Sequence, residues 1–490
     1  MQSPAATTRS DRRANVVWII ADQLRAQSLG YRGDPNVRTP NIDSLARRGM
    51  RFDAAVSGAP WCTPFRAALL TGTYPHQSGV TQTPSPLDPA LPTVAGAFRE
   101  AGYHTAWIGK WHLDGSNSSD HYVPRDRRGG FAFWRGYENN NAQHECYVYG
   151  GYTDPADPRY DQNDESPERL HDYETNALTD QFLSHLRSHR ERDPHNGSTP
   201  GADAEPFFAV LSVQPPHGPY VGPATGAAGT TASAPLRPTD VVLRPNVPHG
   251  ARARDQARLD IAGYCAMIEN LDTNVGRLLE GLRAIDADRE TWVVFFSDHG
   301  DMLGSHGQCE KSSPWEESIR IPLIVARIAG HQAMRTGVCD ALVNHVDIGA
   351  TSLGLCGIAV PDWVQGFDYS ARCLPGSTPA SATPASAAAD RTAAAEPASA
   401  FLQQIPRKYH PHSVNRAWRG VVTRDGWKYV CTPGNDWLLF NLNEDPYEQA
   451  NLCYDTIYQA DKERCHAELR SWIERTGDSF DLPDVTLPPR

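Results

Sequence analysis

Short apolar runs alternate along this chain with stretches of helical spacing. Asn15–Ala21 (NVVWIIA) is apolar after its first residue, the pattern of a strand buried on both faces. His104–Gly109, Phe207–Val213, Val293–Ser297 and Ile321–Ala326 predict further strands. Between the third and fourth of these five runs, Ile261, Tyr264, Cys265, Ile268, Leu271, Val275, Leu278, Leu279 and Leu282 recur at helical steps. They predict a long helix from Arg254 to about Ile285. Thr39-Pro40 opens another helix, with Thr as cap and Pro in the first turn, and Gly49 closes it after Arg47-Arg48. By the same logic Thr63 caps a helix that begins at Pro64, and Asp347 caps one running to about Leu355. Strands alternating with helices define an α/β sandwich.

The pattern changes toward the end. Residues 375–399 (PGSTPASATPASAAADRTAAAEPAS) are low in complexity and too polar to offset their ordering entropy, so a surface loop or linker is expected. A second polar insert, His189–Glu205, precedes the Phe207 run. Trp418–Val430 alternates around Asp425-Gly426, a hairpin signal, and Trp437–Asn441 adds a strand. The expected domains are an α/β domain over 1–370, a linker over 371–400 and a small antiparallel domain over 401–490. No internal repeat is apparent.

Composition narrows the function. With 490 residues, 40% of them hydrophobic, the chain can bury a large core. Its net charge of −12, with basic residues spread throughout, argues against a nucleic-acid partner. No apolar run is long enough to span a membrane, and Val16–Ala21 is too short for a signal sequence, so a cytoplasmic enzyme is expected. Ten scattered cysteines without a CxxC pair do not form a disulfide framework. Of the 46 basic residues only five are lysine: Lys110, Lys311, Lys408, Lys428 and Lys462. Where any positive charge serves this chain uses Arg, so each Lys points mildly to a site that needs an ammonium.

Candidate chemistry gathers at the ends of the predicted strands. Cys62-Thr63-Pro64-Phe65-Arg66 places a thiol at a helix mouth, where free N–H groups and the helix dipole attract anions. Asp22 and Gln23 follow the first strand, and Asp298-His299 follow the Val293 strand. In open α/β sheets, ligand sites lie beyond the carboxyl ends of the strands, so these groups can converge as a hard-donor cage for a divalent cation. Lys110 and His112 stand two apart beyond a strand end and can face one pocket. His217 is held in a rigid Pro215-Pro216-His217-Gly218-Pro219 loop, and Lys311 follows Asp298 by 13 residues. His306, His345 and Asp347 are read as structural.

The chain resembles the type I sulfatases, the formylglycine-dependent members of the alkaline phosphatase superfamily. ADQLRA, RTPNIDSLARRGMRF, CTPFRAALLTG, GKWHL, PPHGPY, SDHGD, EKSSPWEESIRIPLIV and RDGWKYV…LLFNLNEDPYEQANL carry the likeness, in family order, over most of the chain. The resemblance implies an alkaline-phosphatase-like α/β/α sandwich, with a large, mostly parallel sheet and a small C-terminal α+β domain. It implies hydrolysis of a sugar or aryl sulfate monoester, after a formylglycine-generating enzyme has oxidised Cys62 to 3-oxoalanine. The metal ligands would be Asp22, Gln23, Asp298 and His299 with residue 62. Arg66 and Lys110 would hold the hydrated aldehyde, His112 would serve as base, and Lys110, His217 and Lys311 would contact the sulfate or assist the leaving group. Calcium is the ion expected first.

Two positions depart from the commonest family pattern, which has Asp where Gln23 stands and Asn where His299 stands. These choices admit Mn²⁺ or Mg²⁺. They also suit a phosphonate monoester or phosphodiester hydrolase with the same nucleophile, which is the alternative function. Lys110 and His112 favour the sulfatase reading. An alternative of another class is a non-catalytic sulfate- or glycan-binding relative, against which the intact set of catalytic residues stands. The substrate rim is expected from the loops between Leu113 and Tyr173, including Tyr137–Asn141 and His144–Tyr147, and from the region of His410 and His412. Homo-oligomerisation is left open.

Overall fold

The computed structural model describes residues 13–116, 121–160, 162–191, 205–224, 234–287, 289–329, 333–376, 396–406 and 413–484. Its large sheet contains β1 (Asn15–Ala21), β2 (Met50–Phe52), β3 (His104–Lys110), β4 (Phe133–Tyr137) and β5 (Tyr147–Tyr152). It continues with β6 (Glu168–Arg169), β7 (Phe207–Val213), β8 (Thr291–Ser297), β9 (Leu323–Arg327) and β10 (Gly337–Cys339). The strand order is β10-β2-β9-β8-β1-β7-β3-β4-β5-β6. Strands β8, β1, β7, β3 and β4 run parallel, and antiparallel pairs flank them. A second, antiparallel sheet is formed by β11 (Ser399–Gln404), β12 (Trp418–Thr423), β13 (Trp427–Thr432) and β14 (Asn435–Asn441), in that order.

The helices are α1 (Pro40–Arg48), α2 (Cys62–Thr71), α3 (Pro75–Ser78), α4 (Val94–Glu100) and α5 (Glu174–Glu191). The others are α6 (Ala251–Ile285), α7 (Glu316–Ile319), α8 (His345–Leu355) and α9 (Gln459–Thr476), the last packed on the second sheet. β1 shows why its sequence is apolar throughout. Val17, Ile19 and Ala21 pack in a layer with Tyr264, Ile268 and Leu271 of α6. Val16, Trp18 and Ile20 pack in the opposite layer with Phe65 of α2, Phe98 of α4 and Leu353 of α8. Each large aliphatic side chain so buried contributes about 1.5–3 kcal/mol, so a central strand tolerates no polar face.

The expected α/β sandwich with a separate antiparallel sheet is what forms, but several boundaries move. The helix expected from Pro64 begins at Cys62, with Trp61 as its N-cap. Pro64 fits inside its first turn because the N–H groups there need no intrahelical acceptor. The cap of α8 is Asn344, not Asp347, which instead closes a reciprocal capping box from the third helical position. Thr39 does precede α1, yet its hydroxyl accepts from Gly30 N and donates to Asp43 rather than capping. The strand expected over Ile321–Ala326 starts at Leu323. Ser399 and Ala400, placed in the expected linker, already belong to β11, and Cys373 near the linker's start is fully buried. Residues 377–395, most of the low-complexity stretch, lie outside the described residues. Among the described residues no helix is long and apolar enough to cross a membrane, and all ten cysteines are free thiols.

Gly109 joins the sheet to the chemistry. It takes a φ of +108° between Ile108 and Lys110, and a Cβ there would stand 2.0 Å from the Ser212 carbonyl oxygen. Backbone against backbone cannot yield, so Gly109→Ala is expected to destabilise the protein by at least about 2 kcal/mol and to displace Lys110. Thermal unfolding and turnover of the variant check this; a wild-type midpoint would refute the close approach.

Candidate active site

Four parallel strands deliver their carboxyl ends to one edge. Asp22 follows β1, Lys110 ends β3, His217 follows β7 and Asp298-His299 follow β8. The N-terminus of α2 faces this edge, and Cys62 and Arg66, four apart, share one helix face. Asp22, Cys62, Asp298 and His299 each place a ligand atom within 4.8 Å of the others, and all four are buried. The Cys62 sulfur lies 3.1 Å from His299 Nε2 and 3.7 Å from Asp22 Oδ1.

His299 Nδ1 lies 3.0 Å from the Gly300 carbonyl, to which it donates, so Nε2 points into the cluster. Asp298 Oδ1 accepts from the N–H groups of Gln23 and His299, each at 2.9 Å. Its Oδ2 is buried without a hydrogen bond, 3.4 Å from Arg66 Nη2. An inward imidazole nitrogen and an unsatisfied carboxylate oxygen beside Asp22 are the donor set of a divalent cation, so the residues fit a metal.

Cations close the opposite side. Asp22 Oδ2 pairs with Lys110 Nζ at 2.7 Å and with Arg66 Nη2 at 3.1 Å, and all three side chains are fully buried. Arg66 Nη1 also donates to the Lys110 carbonyl and to Ser212 Oγ. Burial alone would raise the Asp22 carboxyl, but the charges of Lys110, His217 and Arg66 hold it well below the usual range. Burial and the Asp22 charge push the Asp298 carboxyl up. Burial opposes ionisation of the unmodified Cys62 thiol too, yet Lys311, Lys110 and His299 hold it well below its ordinary value. His112, which hydrogen-bonds Cys62, is lowered to about 4 by burial and the Lys110 charge, so it is neutral at pH 7.

Lys311 Nζ lies 2.7 Å from His217 Nε2 and 2.5 Å from Gln23 Oε1. The amide of Gln23 is therefore engaged with Lys311, and its Nε2 donates to Asp301 Oδ2 at 2.6 Å. Gln23 and His112 both take left-handed backbone conformations, φ 67° and 62°, strain that a close-packed site can hold. Tyr264 supports Gln23 by donating to its carbonyl oxygen.

Two supporting residues, Asp301 and Ser212, carry no expectation from the sequence, and a third, Glu138, sits elsewhere than expected. Asp301 orients Gln23 and Tyr220, and its place at the end of SDHGD was the available signal. Ser212 is the next-to-last residue of β7, and its place at a carboxyl strand end was the available signal. Glu138, expected at the rim, is buried and accepts from the N–H groups of Leu113, Asp114 and Gly115, bracing the loop after His112. Tyr137 is likewise internal, donating to Glu174. His144 does face the surface, in an open cavity of about 400 Å³ with Arg169, His171 and Tyr173. His410 and His412 lie outside the described residues.

The lysine bias leads to Lys110 and Lys311 at the cluster, but Lys428 and Lys462 lie in ion pairs away from it. Lys428 is buried against Glu316 and Glu448, and Lys462 pairs with Asp436. Lys408 lies outside the described residues. His345 accepts from Gly58 N and stacks on Phe65, while His306 meets Asn246.

The sheet order, the helices on both faces and the cluster at the carboxyl edge define a hydrolase of the alkaline-phosphatase-like fold. The family model described as Sulfatase matches residues 14–358, and the chain belongs to that family, the hydrolases of sulfuric esters. It is 31% identical over 477 residues to an ulvan-active sulfatase of Formosa agariphila, covering 97% of this chain and 84% of that one. It is 29% identical over 407 residues to an endo-4-O-sulfatase of Bacteroides thetaiotaomicron, covering 75% of each. A solved structure in complex with its substrate D-glucosamine-2-N,6-O-disulfate shares the fold, with a TM-score of 0.71 and 21% identity over 96% of this chain and 99% of that one.

Proposed function

We propose that this sulfatase hydrolyses a sulfated saccharide through formylglycine formed from Cys62 by a formylglycine-generating enzyme, with a divalent cation held by Asp22, Asp298, His299 and residue 62. The convergence of those four side chains, opposite Arg66 and Lys110, carries the reading. Calcium suits the two carboxylates, and the His299 nitrogen also suits Mn²⁺. Such an ion would supply positive charge that favours an ionised hydroxyl on residue 62. The hydrated aldehyde would supply two hydroxyls on one carbon, one to attack sulfur and one to release sulfate afterwards.

The remaining work falls to this chain's side chains. Arg66 and Lys110 neutralise and orient negative charge at residue 62 from within a water-excluded pocket, where fixed cations act strongly. Lys311 and His217, in contact with each other, face the leaving oxygen and can hold or deliver its proton. His112, kept neutral, can accept the proton from residue 62. The open cavity with His144, Arg169, His171 and Tyr173 adjoins the His217 loop, because Gln143 donates to the His217 carbonyl. Its polar lining suits hydroxylated sugar rings better than a bare aryl group.

A second reading, phosphonate monoester or phosphodiester hydrolysis at the same centre, is favoured by Gln23 and His299 and opposed by Lys110 and His112. Parallel assays on aryl sulfate, phosphonate and phosphodiester substrates separate the two. Mass spectrometry of the tryptic peptide Phe52–Arg66 from active protein tests the nucleophile. The peptide is expected to be about 18 Da lighter than its unmodified form. Finding only the unmodified thiol in an active preparation would overturn the proposal.

A further inference from the structure

We propose a second metal site at the opposite end of the sheet, formed by His104, His189 and Glu205 with His185 beside them, suited to Zn²⁺ or a similar borderline divalent ion. His104 opens β3, and Glu205 precedes β7 just ahead of Phe207, the register partner of His104. His185 and His189, four apart on α5, share the helix face turned toward His104. One ligand atom each from His104, His189 and Glu205 lies within 4.8 Å of the other two, and His104 Nε2 lies 3.0 Å from His185 Nε2.

This cluster is independent of the catalytic centre. β3 runs from His104 to Lys110, and at about 3.3 Å per residue the two ends are about 20 Å apart. The donors also differ in kind. The catalytic edge offers two carboxylates and suits a hard cation, whereas imidazoles with one carboxylate suit Zn²⁺.

Aromatic rings wall the cluster on its buried side. His104 is buried, and its ring stacks on His189 at 4.2 Å. Phe133 stacks on His185 at 3.7 Å, and Tyr152 closes the same wall. Arg159 is the cation facing His104, and its charge is offset by Asp157 while its guanidinium lies over Tyr152. Glu205 is exposed and His189 half-exposed, which leaves an entry path for an ion. Bound there, the ion would join the end of α5 to the lead into β7 and so tie together both ends of segment 192–204. Such a cross-link stabilises the fold through the entropy of the unfolded chain.

The test is Zn²⁺ binding to tag-free, full-length protein by equilibrium dialysis with elemental analysis, in wild type, His189→Ala, Glu205→Gln and Cys62→Ala. Wild type and Cys62→Ala are expected to hold one equivalent that His189→Ala lacks, and Glu205→Gln to bind it at least about tenfold more weakly. Co²⁺ in place of Zn²⁺ should give visible ligand-field bands that disappear in His189→Ala. Sulfatase turnover should persist in that variant, and Zn²⁺ should raise the thermal midpoint of wild type but not of His189→Ala. Equal Zn²⁺ content in wild type, His189→Ala and Glu205→Gln would overturn the site.

Discussion

Cys62→Ala is expected to reduce turnover of an aryl sulfate by at least about four orders of magnitude, as loss of a covalent nucleophile does elsewhere. Alanine can be neither oxidised to an aldehyde nor made to attack sulfur, so the remaining cations can bind the ester without cleaving it. The fold should survive, because the lost sulfur atom meets mainly His299 and Asp22 and leaves a cavity of about one atom. Initial rates at enzyme concentrations spanning several decades, with a thermal melt of the same sample, measure both effects. Wild-type-like turnover by purified Cys62→Ala would remove the central step of the scheme.

Asp22→Ala is expected to cost about 3–5 kcal/mol of stability as well as activity, because it breaks a buried ion network from its centre. Arg66 would retain Asp298 at 3.4 Å, but Lys110 would lose the carboxylate 2.7 Å away while remaining fully buried. The pH dependence has a definite sign. The Asp22 carboxyl is held well below its unfolded value of about 4, so its contribution is fully present above that pH and is lost as pH falls further. The gap in thermal midpoint between wild type and variant should therefore be wide at pH 7 and narrow in acid. A variant that melts like wild type at pH 7 would show that water, not Asp22, balances Lys110.

Legibility from sequence tracked how local each signal was. The run Asn15–Ala21 could only be a doubly buried strand, and it is one. Trp418–Val430 carried its own turn at Asp425-Gly426, where Gly426 takes a φ of +87°, and it forms the β12–β13 hairpin. α2 starts two residues ahead of the position that Thr63-Pro64, with the form of a cap and first turn, predicts, and its N-cap is Trp61. Lys428 misled for a related reason. An ammonium was needed there, but for a buried network with Glu316 and Glu448, and composition cannot distinguish a structural ion pair from a catalytic one.

The sequence alone determined the layered α/β class, the strand ends that carry Asp22, Lys110 and Asp298, and the Cys62–Arg66 face, because these follow from periodicity and from spacing along single elements. Only the tertiary structure decided that the Gln23 amide turns to Lys311 and Asp301, that Glu138 braces the His112 loop, and that His104 meets His185 and His189. Those contacts join residues far apart in the chain, and their partners are chosen by strand order and packing, which no local pattern encodes.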